Sequence, residues 1–117
     1  MKSRTLLPTT LTSAVAAAIA VATFAIGAAA AEPRTVTVDI TKFAFAPKEV
    51  TVVPGTKVVW TNHDDTPHTV AANDKTFVSK GLDTDDRFEF TFAKEGDYAY
   101  ICTVHPFMTG VVHVKRP

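Results

Sequence analysis

Four side chains in this sequence have the chemistry to share one ion. Cys102, His105 and Met108 recur at every third position of Cys102-Thr103-Val104-His105-Pro106-Phe107-Met108, and His68 stands far upstream in Thr66-Pro67-His68-Thr69. A spacing of three suits a tight loop that turns a thiolate, an imidazole and a thioether toward one point. Two imidazoles and a thiolate with a weak axial thioether make the trigonal donor set of mononuclear copper electron-transfer sites. Soft sulfur suits Cu(I) and imidazole suits both oxidation states. Zinc would accept Cys102, His68 and His105, but it wants a fourth strong ligand or a water, and a thioether is a poor substitute. A third reading is a thiol hydrolase with Cys102 as nucleophile and His105 as base. Against it, no further residue evidently orients that imidazole, and a chain this short leaves little room for a substrate cleft.

Each of the four residues has an ordinary explanation when taken alone. A single cysteine is most often a small buried hydrophobe, a methionine after phenylalanine is most often core, and a loop histidine is usually solvated. Their coincidence in an exported chain weighs against that account, because an unpaired thiol in an oxidising compartment is a liability unless it is buried or bound.

Export is read from the N-terminus. Lys2 and Arg4 precede an apolar, alanine-rich run from Ala14 to Ala31, which closes on Ala29-Ala30-Ala31 before Glu32 and Pro33. This is the order of a cleaved secretory signal: charged start, apolar stretch, small-residue exit. Residues 1–31 are therefore expected to be a signal peptide and 32–117 the mature domain, placed in the periplasm and free of the membrane once the signal is gone. The alternative is a retained anchor, which alanine suits poorly. The whole chain has 117 residues with 12 basic and 12 acidic groups. That balance gives no field for nucleic acid, and the length allows one domain. One cysteine excludes an internal disulfide framework.

The elements that must position these donors read as strands. Thr35 to Ile40, Glu49 to Val52, Thr56 to Thr61 and Arg87 to Phe92 alternate with period two, and Phe88, Phe90 and Phe92 share one face. Pro67 to Ala71, Asp97 to Cys102 and Val111 to Lys115 are shorter candidates. With Gly, Pro and Asp turns between them, about seven short strands predict an all-β fold, a small antiparallel sandwich. Asn73 to Asp86 is the least patterned stretch and reads as a long loop or a poorly paired edge. Trp60, Tyr98 and Tyr100 read as core. His63 reads as a solvated loop residue and His113 as a surface position. Asp74, Asp83, Asp85 and Asp86 read as solvated charges rather than a docking patch.

The chain resembles the cupredoxins. The resemblance is carried by Phe45-Ala46-Pro47 through Val50-Thr51-Val52, by Gly55, Val58, Trp60 and Asn62, and by Gly96-Asp97-Tyr98-Ala99-Tyr100-Ile101-Cys102 running into the 102–108 loop. It spans about residues 35 to 115, and the loop is its specific part. The gap between His105 and Met108 is shorter than in plastocyanins and pseudoazurins. The resemblance implies a Greek-key β-sandwich with one type 1 (blue) copper, cycling between Cu(I) and Cu(II). His68, Cys102 and His105 would be its equatorial ligands and Met108 its weak axial one. It implies a monomeric periplasmic electron carrier rather than an enzyme. Its partners would be redox proteins, such as a dehydrogenase donor and a c-type cytochrome acceptor. A carrier that hands over copper rather than electrons is the alternative. Such carriers favour Met- or His-rich sites, and this chain has two methionines, one of them the initiator. Two departures stand out: Thr69 where many members have Asn, and Ile101 where plastocyanins have an aromatic. Electrons are expected to pass through the edge of His105, rimmed by Pro67, Pro106 and Phe107, unless Phe107 packs into the core.

Overall fold

In a computed structural model, the residues described are 2–5, 8, 10, 12–23 and 34–117. Residues 2–5, 8, 10 and 12–23, the described part of the expected signal, carry no regular secondary structure and are exposed. The expected exit at Ala29-Ala30-Ala31 lies outside the described residues. Among the described residues no helix is long and apolar enough to cross a membrane.

Eight strands follow: β1 (Thr35–Thr41), β2 (Ala44–Ala46), β3 (Glu49–Val52), β4 (Thr56–Asn62), β5 (Ala71–Ala72), β6 (Arg87–Phe92), β7 (Gly96–Ile101) and β8 (Thr109–Val114). They form two four-stranded sheets, ordered β2-β1-β4-β6 and β3-β8-β7-β5. The all-β sandwich expected from the alternating runs is the fold observed. Antiparallel pairing dominates. The exceptions are β1 with β4 and β3 with β8, which run parallel, so each sheet is mixed. Parallel neighbours need a long crossover. The chain makes each crossover by passing between the sheets, which stitches the sandwich together.

The core lies where the alternation points. In β6, Phe92 is fully buried and Phe88 and Phe90 pack against the buried cluster, while Arg87, Glu89 and Thr91 face water. Trp60 on β4 is completely buried. Its ring stacks on Phe77 with centroids 5.5 Å apart and meets Tyr100 edge-on at 5.5 Å. Such pairs add about 0.5–1.5 kcal/mol each beyond the area they bury. This aromatic layer bridges the sheets beneath the 102–108 loop.

Two segments differ from the sequence expectation. Pro67 to Ala71 is not a continuous strand: His68 forms an isolated bridge with Leu82, and only Ala71–Ala72 joins a sheet. Asn73 to Asp86 is irregular, as expected, but it is packed rather than loose. Phe77, Ser79 and Leu82 are buried, and Ser79 accepts a hydrogen bond on Oγ from the Val70 N–H at 2.8 Å. The short β2 had no period to reveal it. Phe45 is its one buried residue, set edge-on to Tyr100 at 4.7 Å.

Candidate metal centre

The C-terminal donors sit on a loop closed by three backbone hydrogen bonds. The His105 N–H reaches the Cys102 carbonyl at 3.3 Å, the Met108 N–H reaches the His105 carbonyl at 2.9 Å, and the Cys102 N–H reaches the Met108 carbonyl at 3.1 Å. The first two are successive i to i+3 turns. They convert the spacing of three into convergence, because each turn brings the next donor back over the one before. Pro106 falls inside the second turn, where its fixed φ stiffens the chain and its missing N–H leaves no bond unmade. Strands β7 and β8 hold the two ends through the pair Ile101 and Thr109.

His68 arrives on the segment between β4 and β5, outside both sheets. Its backbone is pinned to Leu82 by a reciprocal pair of bonds at 3.1 and 2.7 Å. The next residue docks on the loop. The Thr69 N–H points at Cys102 Sγ at 3.4 Å, and its Oγ1 accepts the Thr103 N–H at 2.7 Å. Thr69, the departure noted in the sequence, thus ties the two halves of the centre together.

The result brings His68, Cys102 and His105 into one group able to hold a metal ion, with one donor atom of each within 4.8 Å of the others. The two Nδ1 atoms are 3.2 Å apart, and each is 3.8 Å from Cys102 Sγ. In that triangle the point equidistant from all three atoms lies in their plane, roughly 2.1 Å from each. Metal–nitrogen bonds of about 2.0–2.1 Å and metal–sulfur bonds of about 2.3 Å match that radius. The donor set is also the soft, trigonal one of copper sites. The residues present therefore fit copper. Met108 is fully buried, with its backbone closing the loop below the triangle.

Burial is uneven around the group. His68 and Cys102 are fully buried, while His105 is half-buried. Outside it, Val104, Pro106 and Phe107 are exposed, as is Pro67 across the gap. Phe107 is 70% exposed, which rules out the core alternative. The ring meets His105 at 6.0 Å between centroids. Ile101 lies on the strand face opposite Tyr100 and Cys102, as alternation requires.

Two residues at the site were not singled out in the sequence. Phe43 sits between the imidazoles from above, edge-on to both. Asp64 accepts a hydrogen bond from His68 Nε2 at 2.9 Å and from the Lys42 and Phe43 N–H groups at 2.7 and 2.9 Å. Desolvation pushes its carboxyl upward, but these hydrogen bonds outweigh it and hold the group below the usual aspartate value. A carboxylate four residues before the first histidine was the signal available for Asp64. His63 and His113 stand away from the centre, bonded instead to Asp39 and Asp97.

This constellation on a two-sheet sandwich defines a cupredoxin, and the chain belongs to that family: a Cupredoxin-like domain matches residues 14–114. Among cupredoxins it is amicyanin-like. It is 36% identical to amicyanin from Paracoccus versutus over 85 residues, 68% of this chain and 64% of that protein. The match thus spans a little under two thirds of the relative's length. A mutant amicyanin solved in its Cu(I) form superposes with a TM-score of 0.66 at 32% identity, covering 69% of this chain and 82% of that one. A copper-containing nitrite reductase from Thermus scotoductus superposes at 0.68 with 34% identity, covering 74% of this chain but 23% of the enzyme's. That likeness is to one domain of a larger protein. Copper is the cofactor of this fold and donor set.

Proposed function

We propose that this protein is a one-electron carrier, not an enzyme, working between redox proteins in the periplasm after its signal segment is removed. His68, Cys102 and His105 would hold one copper, with Met108 as a weak fourth ligand. Bound copper supplies the Cu(I)/Cu(II) couple; the chain supplies everything that makes it fast and selective. The observation that carries the reading is the triangle of Nδ1, Nδ1 and Sγ, whose spacing is at bonding radius for one ion. A site built to that spacing on a rigid sandwich need not rearrange when the electron comes or goes.

Access decides the route. His105 is the least buried of the four residues; its ring meets Phe107, and Pro67, Val104 and Pro106 beside the ligands in the chain are exposed. This apolar collar excludes water and suits brief docking with little charge to desolvate. Electrons would enter and leave through the imidazole of His105. A dehydrogenase donor and a c-type cytochrome acceptor, as inferred from the family resemblance, remain the partners this reading names. Copper handover is disfavoured, because His68, Cys102 and Met108 are no more than 1% exposed and offer an incoming chelator nothing to grip.

Adding Cu(II) to the purified domain tests the assignment. The expected result is an intense blue thiolate-to-copper absorption that bleaches with mild reductant, returns with oxidant, and is absent from Cys102→Ala. A pale site that loses its metal rapidly to chelators would replace the electron carrier with a metal carrier. A colourless protein that retains zinc would overturn the copper assignment.

A further inference from the structure

We propose that Asp64 is the positioning residue of the centre: one carboxylate fixes the ring of His68 with Nδ1 toward Cys102 and clamps the Lys42–Phe43 turn over the same ring. Three donors converge on it. Oδ1 takes the Lys42 N–H, while Oδ2 takes both the Phe43 N–H and His68 Nε2. A carboxylate has capacity for all three.

Chemistry on both sides requires such an acceptor. His68 is fully buried, so an Nε2–H without a partner would incur the full desolvation penalty of a buried donor. With Nε2 holding the proton, Nδ1 is left as a bare lone pair, and it is Nδ1 that faces Cys102 Sγ and His105 Nδ1. The turn is a separate problem. Lys42 and Phe43 both adopt positive φ, 53° and 55°, a conformation that costs a side-chain-bearing residue about 1–2 kcal/mol. Two charge-assisted hydrogen bonds from their N–H groups offset that strain. Phe43 is thereby held edge-on to both imidazoles.

Asp64 is itself held from behind. Its N–H donates to Asn62 Oδ1 at 2.9 Å, and its carbonyl accepts the Thr84 hydroxyl at 2.7 Å. Asn62 is fully buried and donates through Nδ2 to the Thr66 and Leu82 carbonyls. The carboxylate is therefore placed by the protein's own hydrogen bonds, and it would act on a metal only through His68.

The proposal rests on the copper reading where copper is the probe, so the first measurement is made without it. In metal-free protein at pH 7.5, nitrogen-15 NMR of the His68 ring should show the proton on Nε2. Asp64→Ala should lose that single tautomer, bind added Cu(II) about 10- to 100-fold more weakly, and raise the reduction potential. Asp64→Asn, with its oxygen kept for His68 and the Phe43 N–H, turns its NH₂ toward the Lys42 N–H. It should restore the tautomer and most of the affinity while the Lys42 amide exchanges faster. A wild-type ring protonated on Nδ1 would overturn the proposal, as would Asp64→Ala binding Cu(II) within twofold of wild type at an unchanged potential. Should Asp64→Ala fail to fold, Asp64→Asn decides: an unchanged potential together with an unchanged Lys42 amide exchange rate would sink the idea. Absence of any blue copper site would fail the electron-carrier reading and leave the tautomer result standing.

Discussion

The ring of Phe43 stands edge-on to His68 and to His105 alike, 5.1 Å from each centroid at interplanar angles of 85° and 87°. It lies where the two sheets' contributions meet, and at 40% exposure it forms the outer wall of the centre as well as part of the surface. A side chain in that position shields the imidazoles from water on the β1–β2 side, while Phe107 borders His105 on the other.

That geometry predicts an inverted stability order at residue 43. Glycine normally weakens a chain relative to alanine, but φ of 55° is a region glycine enters freely and alanine does not. Phe43→Gly should therefore be more stable than Phe43→Ala by about 1 kcal/mol in urea denaturation. Both should open the copper to small added ligands more than wild type does, read as a perturbed blue absorption. An alanine variant more stable than the glycine one would mean the turn is not strained in solution.

Gly110 presents the opposite constraint, one of space. A Cβ there would lie 2.3 Å from Tyr100 Cζ and 2.4 Å from its hydroxyl. Tyr100 cannot retreat easily: it is 1% exposed, wedged between Trp60 and Phe45. Burial pushes its phenol up to about 12, with a smaller opposing effect from Trp60. Gly110→Ala should cost about 1–3 kcal/mol. Combined with Tyr100→Leu, the loss should be less than the sum of the two single changes. Strict additivity would show that the clash is relieved by backbone movement instead.

Much of this was legible in sequence, and the reason is periodicity. Strands β1, β3, β4 and β6 announce themselves because each has one buried face, so alternation in the sequence is alternation in space. The 102–108 loop was legible for a related reason: donors every third residue in a turn must converge. What could not be read were relationships that only the fold creates. Phe43 and Asp64 are 21 positions apart and meet across two turns, neither carrying a hydrophobic pattern. Phe77 is 3% exposed yet sits in a stretch without period, because its burial comes from filling the sandwich's open edge. The parallel pairing of β1 with β4 was equally hidden, since an alternating strand looks the same in either direction.

Thr69 ties the His68 segment to the 102–108 loop through its hydroxyl, and that predicts a paired effect. Its Oγ1 accepts the Thr103 N–H at 2.7 Å, meets Thr103 Oγ1 at 2.7 Å, and lies 3.9 Å from Cys102 Sγ. Thr69→Val keeps the shape and the backbone N–H aimed at sulfur but removes the hydroxyl. The Thr103 N–H loses its partner, so stability should fall by about 1 kcal/mol. A donor near sulfur withdraws electron density and favours the reduced state; its removal should lower the reduction potential, measured by voltammetry. An unchanged potential would assign the hydroxyl proton to Thr103 alone.

The last expectation concerns acid and base on the far side of the second sheet. His113 on β8 bonds Asp97 on β7 through Nδ1 at 2.5 Å and lies 3.6 Å from Glu49 on β3 through Nε2. The Asp97 hydrogen bond, against some desolvation, raises the His113 value above 6.5, and the bond from His113 lowers Asp97 below 3.8. The signs follow from linkage. A histidine whose folded value is raised contributes stability that is complete below 6.5 and fades as pH climbs through the raised value. An aspartate whose folded value is depressed contributes above 3.8 and fades as pH falls through the lowered one. The pair therefore supports the fold most fully between about pH 4 and 6.5 and lets go on the alkaline side first. His113→Gln removes the titrating partner, so its deficit in melting temperature relative to wild type should be largest near pH 5.5 and shrink by pH 8.5, with both proteins in the same metal state. A deficit that stays constant over that range would mean that the exposed pair is screened by solvent and that His113 contributes only its packing.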